Sequence, residues 1–351
     1  MGEIGIPDRT RHRLLQADAR RLPVPTDSVE LVVTSPPYPM IEMWDDVFDR
    51  LDPGVGTALE QGAAKTAYDR MHEALAPAWA EISRVLAPGG IACINIGDAT
   101  RSVDGAFQRF PNHARVGEYL AAEGLRSLPG LLWEKPTNGP TKFMGSMRPP
   151  NGYVTHEHEH ILVYRHGGPR SVDAERRATS AYFWEERNEW FSERWTVTGE
   201  RQGLEESTRD RAGAFPLEIP YRLINMFSVQ GDTVLDPFCG TATTTVAAAA
   251  SARHSIGCDL AAELLAGASS RQSEAVRYAR ERGRRRLADH DAFIAERRAD
   301  GALPEKTAKH YETRVVTDRE RGIALPAAEN PSGSTADWTV DHRRLKPSDA
   351  P

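Results

Sequence analysis

Cysteine is scarce in this chain: Cys93, Cys239 and Cys258 are the only 3 among 351 residues. Three thiols cannot build a disulfide framework, and their spacing matches no metal-binding pattern. Reduced thiols and a cytoplasmic setting are expected. Long apolar runs are also lacking. None approaches the roughly 18–20 residues of a membrane span, and Met1-Gly2-Glu3-Ile4-Gly5 lacks the charged stretch and apolar block of a secretory leader. There is no excess of positive charge. Against 50 Asp+Glu stand 44 Lys+Arg, a net charge of −6, so a polyanion would have to be met by local basic patches. No internal repeat is visible. The remainder is ordinary: 40% hydrophobic residues and 28 glycines suffice for a sizeable core. The length suggests one large α/β domain with additions, or two domains.

Strand and helix patterns alternate through most of the chain. Leu31-Val32-Val33, Ile91 to Ile96, Leu128 to Trp133, Ile161 to Tyr164, Thr233 to Leu235 and Ser255 to Cys258 read as strands. Ala64 to Leu86, Asn112 to Ala122, Ile219 to Phe227, Thr243 to Ser251 and Leu260 to about Arg298 read as helices. Such alternation predicts an α/β fold, a mostly parallel sheet with helices on both faces. The pattern dissolves from Gly167 to Arg211, where Trp184, Trp190 and Trp195 sit among charges, and this segment reads as an insertion with its own small core. The last fifty or so residues, rich in proline and poor in aromatics, are expected to form a flexible tail.

Two turns stand out, each after an apolar strand. Asp236-Pro237-Phe238-Cys239-Gly240-Thr241 opens a helix. A glycine turn there lets backbone amides approach a ligand, and strand ends of open α/β sheets bind nucleotides. The next strand ends in Asp259, whose carboxylate suits the two hydroxyls of an adenosine ribose. A plain tight turn and a helix cap would use the same residues. Thr34-Ser35-Pro36-Pro37-Tyr38 is the second turn. Its prolines fix φ and donate no N–H, which leaves carbonyls and the Ser35 hydroxyl as acceptors beside the flat face of Tyr38. An amino group on a heterocycle would fit. A proline turn with Tyr38 as core filler is the plainer reading.

Ser-Pro-Pro-Tyr after a strand, followed far downstream by Asp-Pro-Phe-Cys-Gly-Thr, resembles the S-adenosylmethionine-dependent DNA amino-methyltransferases, in the motif order of the permuted β class. Leu15-Gln16-Ala17-Asp18, Pro88-Gly89-Gly90, Trp133-Glu134-Lys135-Pro136, His158-Glu159-His160-Ile161-Leu162 and Ala214-Phe215-Pro216 resemble further family landmarks. Alanine stands for the family's glycine at Ala17, and Arg211 for its histidine. The resemblance covers about Leu14 to Arg165 and Arg211 to Leu265.

It implies a Rossmann-like methyltransferase fold. Residues 14–170 would form the catalytic half, 171–210 a target-recognition insertion, and 211–298 the cofactor half with C-terminal helices, leaving 299–351 as the tail. S-adenosyl-L-methionine would be held by Asp18, Thr34, Phe215, Pro216, Asp236, Phe238, Cys239, Gly240, Thr241 and Asp259. Ser35, Pro36, Pro37 and Tyr38 would catalyse transfer to a base flipped out of duplex DNA, Tyr38 stacking on the base and Ser35 with the Pro36 carbonyl accepting its amino hydrogens. No Pro-Cys dipeptide is present, against carbon-5 cytosine chemistry. Serine at the first position implies cytosine N4; N6-adenine, RNA amino groups or a silent DNA-binding relative are the alternatives. Trp44, Arg109, His113 and Arg115 near the catalytic turn, and Arg284 and Arg285 in the run Arg280 to Arg286, are candidate DNA contacts. The histidines of His156-Glu157-His158-Glu159-His160 would share one strand face, but transfer needs no metal and none is expected. Partners would be duplex DNA, a second copy and a separate cognate endonuclease.

Overall fold

A computed structural model describes residues 5–135, 148–198, 215–266 and 270–346. Among them, ten strands form one sheet: β1 (Arg9–Gln16), β2 (Val29–Thr34), β3 (Leu86–Ile96), β6 (Leu125–Glu134), β7 (His158–His166), β8 (Arg194–Thr196), β9 (Thr233–Asp236), β10 (His254–Asp259), β13 (Pro326–Gly333) and β14 (Asp337–Arg344). Their spatial order is β13-β14-β1-β10-β9-β2-β3-β7-β6-β8. β1, β10, β9, β2 and β3 are parallel, and β7 and β14 run against their neighbours. Two small hairpins stand apart, β4 (Ala99–Val103) with β5 (Ala106–Phe110), and β11 (Lys306–Thr307) with β12 (Arg314–Val315).

The central strands carry apolar side chains on both faces because helices cover both. Val32, Ala92 and Ile94 point into one core, under the helices Ala64–Val85 and Asn112–Ala122. Their alternating neighbours Leu31, Val33, Ile91 and Cys93 point into the other, under the helices Glu218–Phe227 and Thr243–Ala250. The expected strands and helices are all present, although the last helix is split into Ala262–Ala266 and Arg271–Ala299. No described helix is long and apolar enough to cross a membrane.

Three expectations are corrected. Among its described residues the insertion has no core of its own: Trp190 and Trp195 are buried against the sheet, and β8 adds to its edge beside β6. Those two rings cannot reach DNA. Within the segment, Trp184 is partly exposed; residues 199–210 lie outside the described residues. Second, the arginine run is structural at Arg282 and Arg286. Arg282 binds Glu218 in a part-buried pair, and Arg286 binds Glu186 in a buried one. Arg285 faces Asp289 at 3.6 Å, and Arg284 lines a 260 Å³ cavity with Tyr311 and Leu345. Thirteen and fourteen residues along the helix, they lie roughly 20 Å from Arg271, which touches the Thr241 turn.

Third, the tail folds. β14 pairs with β1, β13 pairs with β14, and Ile323, Leu325, Trp338, Val340 and Leu345 are buried. A polar chain crosses the seam: Thr10 Oγ1 lies 2.9 Å from His12 Nε2 and 2.7 Å from His342 Nε2, and His12 Nδ1 is 2.8 Å from Ser255 Oγ. Burial pulls His12 well below the ordinary imidazole range and His342 down to about 4. Below pH 6.5 the unfolded chain takes up protons that the folded seam refuses, so stability is full above 6.5 and is lost as pH falls towards 4. His342 alone should remove up to about 3 kcal/mol. Protection of the β14 amides, corrected for intrinsic exchange, should fall over this range, and should fall less in His342→Gln, where His12 remains.

Candidate active site

The parallel strands all end at one edge of the sheet, and that edge collects the functional residues. β2 lies beside β9, so the Ser35 and Asp236 turns leave adjacent strand ends. They are joined directly: Thr34 Oγ1 donates to Asp236 Oδ1 at 2.5 Å. Thr244 Oγ1 and the Phe238 N–H donate to the same carboxylate, at 2.6 and 3.1 Å. Asp236 is 4% exposed, and burial pushes its carboxyl up to about 6. Sequence reasoning placed Asp236 and Thr34 among groups facing a cofactor. The structure spends both side chains on bracing the two turns together.

Beyond Asp236 the chain turns through Gly240 at φ +48°, and a Cβ there would meet nothing within 4 Å. The space above the turn is open. Asp259, ending β10, accepts from the Gly240 N–H at 2.8 Å and the Ala261 N–H at 2.9 Å. The cap reading of Asp259 therefore holds, with the Gly240 bond on one carboxylate oxygen and the Ala261 bond on the other. Thr241 Oγ1 and Thr243 Oγ1 are buried without a partner among the described residues. Cys239 is packed under the turn against Gly257, where a Cβ would come within 2.9 Å of its Sγ. Phe238 packs on the core. Asp18 follows β1, pairs with Arg20 at 2.7 Å, and lies next to Ala17, whose N–H bonds the Asp259 carbonyl. Phe215 and Pro216 are buried ahead of the helix that feeds β9. A helix running back to the start of β9 begins at the edge where β9 ends, so this pair belongs to the same edge. Ala214 and Arg211 lie outside the described residues. An open glycine turn, a strand-end carboxylate and two orphaned hydroxyls fit an adenosine-type cofactor.

The catalytic turn is held from below. Asn112, fully buried, donates to the Pro39 and Gly97 carbonyls, both at 2.9 Å. His72 Nε2 meets Asn112 Oδ1 at 3.1 Å. Met40 sits at φ +64°, a strained value for a non-glycine residue. Tyr38 Oη is 2.9 Å from Ser35 Oγ, donates to Glu159 Oε2 at 2.9 Å and accepts from Asn95 Nδ2 at 2.8 Å. Lys135 forms an ion pair with Glu159. Glu159, Asn95 and Lys135 were not anticipated as site residues. A carboxylate alternating with histidines at the start of β7 was the available signal, but nothing in sequence tied it to a tyrosine 121 residues away.

A cleft of about 1050 Å³ opens beside this network, walled by Arg109, Lys135, Tyr153, His158 and Arg194. Phe107 packs against Tyr153, ring centres 4.5 Å apart and planes tilted by 37°. Of the DNA-contact candidates, Arg109 and His113 both bind Asp98 and flank this edge. Arg115 is engaged by Asp69 and Glu118, and Trp44 is half-buried against the core. Asp98, His113 and His160 bring ligand-type atoms within 4.8 Å of one another. They suit a metal poorly. The His113 and His160 rings stack 3.9 Å apart at 17°, and nearly parallel rings aim their in-plane lone pairs along parallel lines, not at one ion 2.0–2.1 Å away. Asp98 is already taken by Arg109 and the His113 ring.

A family model for DNA methylases that modify N6 or N4 amino groups matches residues 29–270. The Type II methyltransferase M.MthZI of Methanothermobacter thermautotrophicus is 46% identical over 328 residues, 90% of each chain. M.MjaI of Methanocaldococcus jannaschii, also a Type II methyltransferase, is 47% identical over 266 residues, 72% of this chain and 88% of that one. Among solved structures, a protein of Thermus thermophilus assigned as a DNA modification methylase, in complex with S-adenosyl-L-methionine, superposes with a TM-score of 0.60 at 30% identity, covering 75% of this chain and 94% of its own. PvuII DNA methyltransferase, cytosine-N4-specific, shares the fold with a TM-score of 0.53 at 17% identity, over 77% of this chain and 89% of that one. With the two motif turns side by side on one sheet edge, the chain belongs to the N6/N4 family of S-adenosyl-L-methionine-dependent DNA methyltransferases.

Proposed function

We propose that this protein is a site-specific Type II DNA methyltransferase acting on the exocyclic N4 of cytosine in duplex DNA. The observation that carries the choice of base is Ser35, a neutral hydroxyl at the first position of the catalytic turn, beside the ring of Tyr38. A neutral hydroxyl accepts an amino hydrogen without setting the full negative charge of a carboxylate beside the N3 acceptor of cytosine. Two relatives named as Type II methyltransferases support the site-specific reading. The bound cofactor supplies an electrophilic methyl group on a sulfonium. The protein supplies position. Tyr38 stacks on the extrahelical base, while Ser35 and the Pro36 carbonyl draw its amino hydrogens aside and leave the nitrogen lone pair for in-line attack. The Phe107–Tyr153 pair and the basic cleft wall face the DNA. The enzyme would work in the cytoplasm, on the nucleoid, alongside a separate endonuclease.

Mass spectrometry of nucleosides from cells expressing the gene should detect N4-methylcytosine. N6-methyladenine in its place would overturn the base assignment, and methyl incorporation into RNA alone would overturn the DNA substrate. Asp259→Ala should weaken S-adenosyl-L-methionine binding at least about tenfold by calorimetry, the loss of a charge-assisted hydrogen bond. Unchanged affinity would remove Asp259 from the ribose role.

A further inference from the structure

Glu159 is 7% exposed, and its carboxylate is fully engaged. Oε2 accepts from Tyr38 Oη at 2.9 Å and from Asn95 Nδ2 at 2.6 Å, and Oε1 is paired with Lys135. A carboxylate has no hydrogen to offer, so the single phenol hydrogen of Tyr38 goes to Glu159. Asn95 also donates to the phenol oxygen. The 2.9 Å contact between Ser35 Oγ and Tyr38 Oη can then run in one direction only, with serine donating. The Ser35 hydrogen is turned away from the cleft, and both its lone pairs are left for the hydrogens of a base amino group. Gly97 lets the chain pack this closely: a Cβ there would lie 2.9 Å from a Tyr38 ring carbon and 3.3 Å from Glu159 Cγ.

We propose that Glu159, acting through Tyr38 and Ser35, orients this chain of hydrogen bonds and receives the proton released by methyl transfer. The inference rests on the reading that Ser35 faces the reacting amino group. In the reaction the new N–C bond forms as the C–S bond breaks, and the electron pair of that bond stays on sulfur. The nitrogen, now bonded to the methyl group, carries one hydrogen too many. That proton passes to Ser35 Oγ as the serine hydrogen passes to Tyr38 Oη and the phenol hydrogen passes to Glu159. No phenolate or alkoxide accumulates. The carboxylate becomes a neutral acid, and Lys135, partly exposed on the cleft wall, adjoins the route by which that acid returns its proton to solvent. A serine enzyme thereby gains the acid–base partner that its first motif position lacks.

The test is Glu159→Gln, which keeps an acceptor for the Tyr38 hydroxyl but cannot take the proton. Single-turnover methylation of a duplex carrying the target site should slow about 10²-fold. KM for DNA, calorimetric affinity for S-adenosyl-L-methionine, and the fluorescence of 2-aminopurine at the flipped position should stay within twofold. Tyr38→Phe keeps the ring and cuts the chain, so it should slow the same step by a similar factor. The double variant should be no slower than the slower single one, because both remove one path. A Glu159→Gln enzyme with its rate intact, or with weakened DNA binding as its only defect, would make Glu159 a brace and overturn the proposal. Multiplying penalties in the double variant would also overturn it. If the wild-type enzyme itself methylates no amino group, the proposed function fails instead.

Discussion

Replacing Ser35 with alanine is expected to cut the rate of methyl transfer by about 10³-fold, or roughly 4 kcal/mol of transition-state stabilisation. The change removes the one side-chain acceptor at the first position of the turn and takes from Tyr38 the hydrogen that Ser35 donates. It leaves the tie between Thr34 and Asp236, and the bonds from Gly240 and Ala261 to Asp259, in place. Cofactor affinity should therefore hold within twofold while turnover collapses. Transfer of a labelled methyl group into duplex DNA, run beside calorimetry, separates the two. A Ser35→Ala enzyme within threefold of wild type would remove the hydroxyl from the reaction.

The largest expected loss of stability lies far from the chemistry, at Arg286→Ala. Arg286 is 3% exposed and reaches from the long helix to Glu186, at 2.5 Å to one carboxylate oxygen and 2.8 Å to the other. Its guanidinium lies 5.2 Å from the centre of the Trp190 ring, and the neighbouring carboxylate raises its affinity for its proton. Truncation leaves Glu186 charged and buried, with the Phe183 N–H, at 2.9 Å, as its remaining hydrogen-bond partner among the described residues. Breaking such a pair costs about 3–5 kcal/mol. Urea denaturation should show that loss at pH 7. Arg286→Met, which refills the volume but leaves the charge, should fall between alanine and wild type. A midpoint shift worth less than about 1 kcal/mol for alanine would mean that water reaches Glu186 in the folded state.

Both motif turns could be read from sequence because local chemistry defines them: a β-branched or leucine-rich run, then residues that cannot continue a strand, at Pro36-Pro37 and at Pro237 to Gly240. Which side chains face a ligand was not legible there. Asp236 occupies a position typical of ligand contacts, yet it is consumed by Thr34 and Thr244, residues 202 positions before it and 8 after it. Glu159 and Asn95 reach Tyr38 from strands remote in sequence, and local pattern carries no trace of such pairings. The C-terminal hairpin escaped for another reason. Pro326-Ala327-Ala328-Glu329-Asn330-Pro331 reads as loop, but an edge strand tolerates proline, and only its first residues are buried. The arginine run misled because Arg282 and Arg286, four apart, share a helix face that turns inward to Glu218 and Glu186.

The 2.5 Å bond between Thr34 and Asp236 makes the donor loop and the acceptor loop a single mechanical joint. A ligand that stiffens one side alters how readily the other closes, and thermodynamic reciprocity fixes the exchange rate: whatever factor a loaded cofactor adds to the grip on DNA, captured DNA returns to the cofactor. Order of arrival then becomes a property of concentrations in the cell, and the joint itself favours neither guest.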